Sequence, residues 1–335
     1  MTSRPLLENA GILRNVTFNS GETLAEVRLH YRTLGQPRRD ASGVVHNAVL
    51  ILHGTGGSGE GFLREQFADV LFGPGQLLDA EQYYIILPDN IGHGHSSKPS
   101  DGLRARFPHY GYEDMVALQH GLLTEHLGVD HLRLVMGTSM GGMHTWLWGI
   151  RYPHFMDALL PLASLPVQIG GRNRMIRRMI LDSIRNDPAW QNGEYANQPP
   201  GLINAIHMLL IMVSSPLQWQ MQAPTRDQAD AFLHEIIDQY RQQFDANDML
   251  YYFDAARDYN PQPELEKIVA PLIAINSADD QVNPPELAIL EREITRVPRG
   301  RAILLPITEQ TRGHGTHSLP LLWQEHLAEL LGEWE

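Results

Sequence analysis

Six short runs of aliphatic residues recur along the chain, at 48–52, 83–87, 132–135, 158–162, 272–275 and 302–305. They are apolar without alternation, as strands buried on both faces of a parallel sheet must be. Parallel strands cannot be joined by tight turns, so the intervening segments must cross over the sheet. One of them, 114–127, carries Met115, Leu118, Leu122 and Leu123 at helical spacing. This alternation predicts a doubly wound α/β sheet. Ahead of it, 11–34 alternates apolar with polar residues (Val27, Leu29, Tyr31), which predicts an antiparallel edge hairpin or meander.

The rhythm breaks between 166 and 266. Residues 173–186 and 226–244 place apolar pairs one turn apart (Met175, Ile176, Met179, Ile180; Phe232, Leu233, Ile236, Ile237) without strands between them, which describes amphipathic helices. The expected organisation is a core in two parts, 1–165 and 267–335, interrupted by a helical cap over 166–266. No internal repeat or long polar linker separates these parts, so the cap should pack on the sheet.

Charge removes whole classes of function. Lys and Arg number 26 and Asp and Glu 39, a formal net charge of −13, which repels phosphate backbones and anionic lipid. Neither nucleic acid nor a membrane surface is an expected partner. The absence of cysteine removes disulfides, thiolate metal sites and a Cys nucleophile, and fits a reducing compartment. The N-terminal residues hold Arg4, Glu8 and Arg14 and no apolar run of signal-peptide length, and no stretch approaches the roughly 20 residues that span a bilayer. A soluble, cytoplasmic protein is expected.

The sharpest chemical signal is the strand-forming run at 132–136 leading into Gly137-Thr138-Ser139-Met140-Gly141 and then into a helical stretch. Glycines flank the serine because a strand-to-helix elbow is tight and its neighbours leave no room for side chains. Ser139 then projects at a helix N-terminus, where partial positive charge favours an oxyanion. A serine hydroxyl needs a base, and the base an orienting acid. Asp279 and Asp280 follow the run at 272–275, where catalytic groups of open α/β sheets gather. His314 and His317 stand in a glycine-flanked loop after the last run, and either ring could turn inward. The loop His53-Gly54-Thr55-Gly56-Gly57 suits an oxyanion hole in which the backbone N–H groups of Thr55 and Met140 face the developing charge, one such donor being worth about 3 kcal/mol. Metal binding by His93 and His95, or by His314 and His317, is the competing reading; neither pair has a matching third ligand. No cofactor or metal is expected.

Beyond the elbow, several stretches are more specific: Phe107-Pro108, the run from Tyr112 to Gln119, Tyr152-Pro153 and, within the cap, Asp187-Pro188-Ala189-Trp190-Gln191-Asn192-Gly193-Glu194-Tyr195. With these the chain resembles the homoserine O-acetyltransferase family of α/β-hydrolases and their hydrolase relatives over most of its length. The resemblance implies an α/β-hydrolase fold with a helical cap. It further implies a catalytic acid four residues before a proline, which matches Asp280 and Pro284, and a base after a glycine, which matches Gly313 and His314.

Two departures bear on substrate. The acetyltransferases carry an aspartate directly after the catalytic histidine, where this chain has Gly315, and a cap arginine for the homoserine carboxylate, where an ungapped count from Asp187 gives Leu181. A three-residue gap would bring Arg178 near that position, as a substrate anion contact for a carboxylate or coenzyme A phosphates; otherwise Arg172, Arg174, Arg177, Arg178 and Arg185 form a solvated helix face. Six of the twelve methionines fall in the cap, as core packing, an acyl pocket or a homodimer seam. The leading expectation is a serine acyl hydrolase acting on a small acyl substrate through an acyl-Ser139 intermediate. The alternatives are acyl transfer from acyl-CoA, there a co-substrate, to homoserine or another hydroxyl, and an inactive binding protein retaining the fold.

Overall fold

A computed structural model describes residues 6–332 of the chain. Its strands are β1 (Leu6–Thr17), β2 (Thr23–Leu34), β3 (Ala48–Leu52), β4 (Tyr84–Pro88), β5 (Leu134–Thr138), β6 (Leu159–Leu162), β7 (Leu272–Ser277) and β8 (Gly300–Leu305). They form one sheet in the order β1-β2-β4-β3-β5-β6-β7-β8. The hairpin β1–β2 is antiparallel and joins β4 antiparallel, while all later pairings are parallel. Every apolar run contributes to a strand. The run at 132–135 is displaced most: β5 starts at Leu134 and stays extended to Thr138, up to the elbow serine.

The α-helices among the described residues are α1 (Glu65–Leu71), α2 (Tyr112–Gly121), α3 (Met140–Arg151), α4 (Gly171–Arg185), α5 (Gly201–Val213), α6 (Pro216–Gln222), α7 (Arg226–Gln243), α8 (Ala246–Asp254), α9 (Ile289–Glu293) and α10 (Gln324–Gly332). Alternate strand residues point to opposite faces, and the helices cover both. Phe67 and Leu71 of α1 and Leu327 and Leu330 of α10 pack on Val49, Ile51, Leu134 and Ile273. Met115 of α2, Trp146 and Ile150 of α3 and Leu290 of α9 pack with Leu50, Ile86, Val135 and Leu272 from the other face.

Helices α4 to α8 all lie between β6 and β7 and have a core of their own, in which Ile176, Ile180 and Ile184 meet Ile206, Met249 and Phe253. Val282, from the loop after β7, belongs to that core and joins it to the sheet. The outward side of these helices exposes Met175, Met179, Ile211, Leu217 and Met221. No single helix among the described residues is long and apolar enough to cross a membrane; α5 and α6 would pass only as a pair, and they are bent by 107°.

Candidate active site

Ser139 sits between β5 and α3 with φ 56° and ψ −112°, a conformation that L-residues rarely adopt. The neighbouring glycines are demanded by contact. A Cβ on Gly141 would lie 1.9 Å from the Leu52 carbonyl oxygen, and one on Gly137 2.1 Å from the Gly141 carbonyl oxygen. The turn is held by the Ser139 N–H, which donates to Leu162 C=O at 2.9 Å, and by the Met143 N–H, which donates back to Ser139 C=O.

The Ser139 hydroxyl lies 2.7 Å from His314 Nε2, and His314 Nδ1 lies 2.8 Å from Asp280 Oδ2. A carboxylate only accepts, so His314 carries its proton on Nδ1 and Nε2 accepts from the serine. Asp280 is 1% exposed. Burial pushes its carboxyl up, but the His314 ring, the Asn283 side-chain amide and the Val282 N–H outweigh this and hold it below its ordinary value. Four donors converge on it: His314, Asn283 Nδ2, and the backbone N–H groups of Val282 and Asn283.

Asp279 has a different position. Its oxygens accept from Ser277 Oγ, from the Gly313 N–H at 2.8 Å and from Ser215 Oγ of the cap at 3.2 Å, so it anchors the loop on which His314 stands. His317 lies edge-on to His314 with ring centroids 5.4 Å apart. Burial, with the nearby His314, pushes its imidazole down to about 3, and its Nδ1 has no partner.

The loop after β3 runs beside the elbow: a Cβ on Gly54 would lie 3.3 Å from Ser139 Cβ. The Asn90 N–H donates to His53 Nε2 at 3.0 Å, so His53 donates from Nδ1 to Gly54 C=O at 2.8 Å and fixes the start of the loop. Met140 opens α3, and first-turn amides of a helix have no partner within it. His93 and His95 flank Gly94 in a turn organised around Asp89, which accepts from the N–H groups of Gly59 and His95 and pairs with His30 and Arg32. No group of three or more His, Cys, Asp or Glu among the described residues could hold a metal ion.

Arg178 is not at this site. It is exposed on α4, with its Nε 2.8 Å from Asp182, one turn away. The arginine that points inward is Arg177, 2% exposed, in the buried stripe of Ile176, Ile180, Leu181 and Ile184. The apolar pairs alone place 177 on the solvated face, whereas it is buried; its spacing of four from Leu181 is the signal that places it on the inner side.

The α/β hydrolase fold family matches residues 47–303. Homoserine O-acetyltransferase of Pelobacter propionicus is 32% identical over 308 residues, 81% of this chain and 81% of that protein. The homoserine O-acetyltransferase of Methanohalophilus mahii is 30% identical over 298 residues; this covers 79% of the present chain, which spans only 60% of that longer relative. An acetylester hydrolase of Corynebacterium glutamicum superposes with a TM-score of 0.84 at 20% identity, over 97% of this chain and 96% of that one. The chain belongs to the α/β hydrolase fold family of enzymes, in its homoserine O-acetyltransferase-like branch.

Proposed function

We propose that the protein is a serine-nucleophile acyl hydrolase for carboxylic esters, with Ser139 as nucleophile, His314 as base and Asp280 as the group that orients the base. The observation that carries this reading is the unbroken line of hydrogen bonds from Ser139 Oγ through His314 to Asp280. Ser139 Oγ attacks the acyl carbon while its proton passes to His314 Nε2; the tetrahedral oxyanion meets the N–H groups of Thr55 and Met140; and the C–O bond to the alcohol breaks as His314 returns the proton to it. Water, deprotonated by His314, then attacks the acyl-Ser139 ester, releasing the acid and restoring the serine. Every step uses the protein's own groups.

Water is favoured over homoserine as acceptor because Gly315 supplies no carboxylate for an ammonium and Leu181 is a buried apolar residue. Each missing charge-assisted bond would cost a zwitterionic acceptor about 1.5–3 kcal/mol. Acyl transfer is the second reading, supported by the homoserine O-acetyltransferases among the relatives; it shares the acyl-enzyme and differs in what enters next. The deciding measurement follows thiol, acid and O-acetylhomoserine together, with acetyl-CoA or simple esters as donors, with and without homoserine. Acid release from esters without O-acetylhomoserine is expected. Homoserine-dependent thiol release with matching O-acetylhomoserine would replace hydrolysis by transfer.

A further inference from the structure

Gln119 of α2 has no part in the chemistry above, yet it belongs to a buried polar chain that reaches the loop beside Ser139. Its partners dictate which way each member points. The Trp148 indole can only donate, and it donates to Gln119 Oε1 at 2.8 Å. The amide nitrogen of Gln119 is therefore turned the other way, where its two hydrogens go to Asn90 Oδ1 and His144 Nδ1. With its oxygen engaged, Asn90 presents Nδ2 at 3.2 Å to His53 Nε2, which also receives the Asn90 N–H at 3.0 Å. His53 accepts at Nε2, so its proton is on Nδ1, facing the Gly54 carbonyl oxygen at 2.8 Å. Trp148, Gln119, Asn90 and His53 are each at most 3% exposed, so solvent offers them no alternative partners.

The last bond of the chain decides where a backbone donor points. Gly54 C=O accepts from His53 Nδ1–H and from the Gly57 N–H at 3.0 Å. Across a planar trans peptide the carbonyl and the following N–H point in opposite directions, and no cis peptide occurs among the described residues. Holding the Gly54 oxygen on the His53 side thereby turns the Thr55 N–H away from that ring. This N–H donates to no group among the described residues. Its peptide lies against the nucleophile: a Cβ on Gly54 would be 3.3 Å from Ser139 Cβ and 3.9 Å from Ser139 Oγ.

We infer that Gln119 is a positioning residue for the oxyanion hole: by giving an amide hydrogen to Asn90 it sets the direction of the chain that fixes the Gly54–Thr55 peptide, with the Thr55 N–H turned to the acyl oxygen. This inference rests on the acyl-Ser139 reading for what the N–H meets, and it holds for hydrolysis and transfer alike. Reversing the direction has a specific consequence. If residue 119 only accepts, Asn90 turns its Nδ2 toward it and its Oδ1 toward His53. Burial pushes the His53 imidazole down and keeps it neutral. A proton for Nε2 must then come from Nδ1, which leaves the Nδ1 lone pair facing the Gly54 carbonyl oxygen and frees the peptide to turn.

Gln119→Glu keeps the shape of the side chain and, as a carboxylate, only accepts. With p-nitrophenyl acetate at about pH 8 it should lower kcat by about 10- to 100-fold, less than outright loss of an oxyanion donor costs, with little change in KM. Affinity for a trifluoromethyl ketone, whose hemiketal with Ser139 carries the oxyanion, should weaken by the same factor. The deficit against wild type should shrink as pH falls and the Glu carboxyl regains a proton to donate. His144→Leu, which removes the other acceptor of the same amide and leaves the bond to Asn90, should lower stability and keep kcat. In protein labelled with 15N-histidine, the His53 ring, assigned by its loss in His53→Gln, should be the Nδ1–H tautomer in wild type and shift toward Nε2–H in Gln119→Glu. An unaltered kcat in Gln119→Glu, a loss carried by KM, or a His53 tautomer indifferent to residue 119 would overturn the inference. A tautomer that shifts in a protein that cleaves no ester would keep the positioning chain and defeat the acyl-hydrolase reading. Should Gln119→Glu fail to fold, Gln119→Met, which keeps the length and drops the donor, decides: kcat and ketone affinity should fall together, and unchanged values for both would overturn the inference.

Discussion

Two deeply buried charges lie on opposite sides of the cap–sheet boundary, Asp280 on the loop after β7 and Arg177 on α4, and their surroundings could hardly differ more. Asp280 receives four donors from His314, Asn283 and the backbone of its own loop. Arg177 donates from Nε to Asn173 and has an idle Nη1. A charge fully answered from within is fixed in place before any ligand arrives, which suits a step common to many substrates. A charge left open carries the desolvation cost of its idle donor without a partner to offset it.

The largest effect expected is on the sheet side. Ser139→Ala should lower turnover by about 10⁶ and abolish labelling by a fluorophosphonate probe; a labelled variant would show that the reactive serine is elsewhere and dissolve the contrast. Next in size, Asp280→Asn should reduce kcat by about 10⁴ by presenting the wrong hydrogen-bonding partner to His314. Asp279→Asn should cost far less, because Asp279 holds the Gly313 N–H and not the imidazole. In the same way, His314→Ala should be far more damaging than His317→Ala, and a reversed ranking in either pair would reassign the base or the acid.

The smallest effect belongs to the cap. Asp248 of α8 holds Ser100 of the sheet domain through its N–H at 2.8 Å and its hydroxyl at 2.6 Å. Burial, with the nearby Asp245, pushes its carboxyl up to about 7 against the ordinary 3.8. A raised carboxylate binds its proton more tightly in the folded protein, so its contribution to stability is full below about 4, declines as pH rises to about 7 and is flat above. The unfolding free energy of Asp248→Asn relative to wild type, from denaturant melts at several pH values, should therefore climb across that window, by on the order of 1 kcal/mol per pH unit at most. A difference that stays constant with pH would remove titration from the cap's attachment.

The sequence made the sheet legible because a doubly covered parallel strand can only be an uninterrupted apolar run, as in 48–52 and 272–275. The elbow was legible because Gly137 and Gly141 meet backbone atoms that no side chain could approach. Asp279 and Asp280 could not be separated by position, since both follow the same strand; what divides them is which one accepts from Gly313 and which from His314, a matter of loop geometry. Arg177 and Arg178, both assigned to a solvated face, could not be separated for a related reason. Neighbouring residues on a helix diverge by about 100°, so an error of one position exchanges the interior for solvent. His53 was noted for its glycine-rich loop, but its grip on Gly54 depends on Asn90, from another strand end.

The excursion from β6 to β7 begins and ends on strands that are themselves hydrogen-bonded neighbours, Leu159 facing Leu272 and Leu162 facing Ile275. Because the pairing is parallel, the chain leaves at Leu162, opposite Ile275, and re-enters three pairs away at Leu272, opposite Leu159, so the five helices belong to a crossover whose ends lie about 10 Å apart along the strand direction. The closure entropy of such a detour grows only slowly with its length. The strand register is thus set without regard to the length of that crossover: the segment could be lengthened or shortened while β5 and its pairing with β3 and β6 stay the same, provided the contacts of Ser215 with Asp279 and of Val282 with the cap are kept.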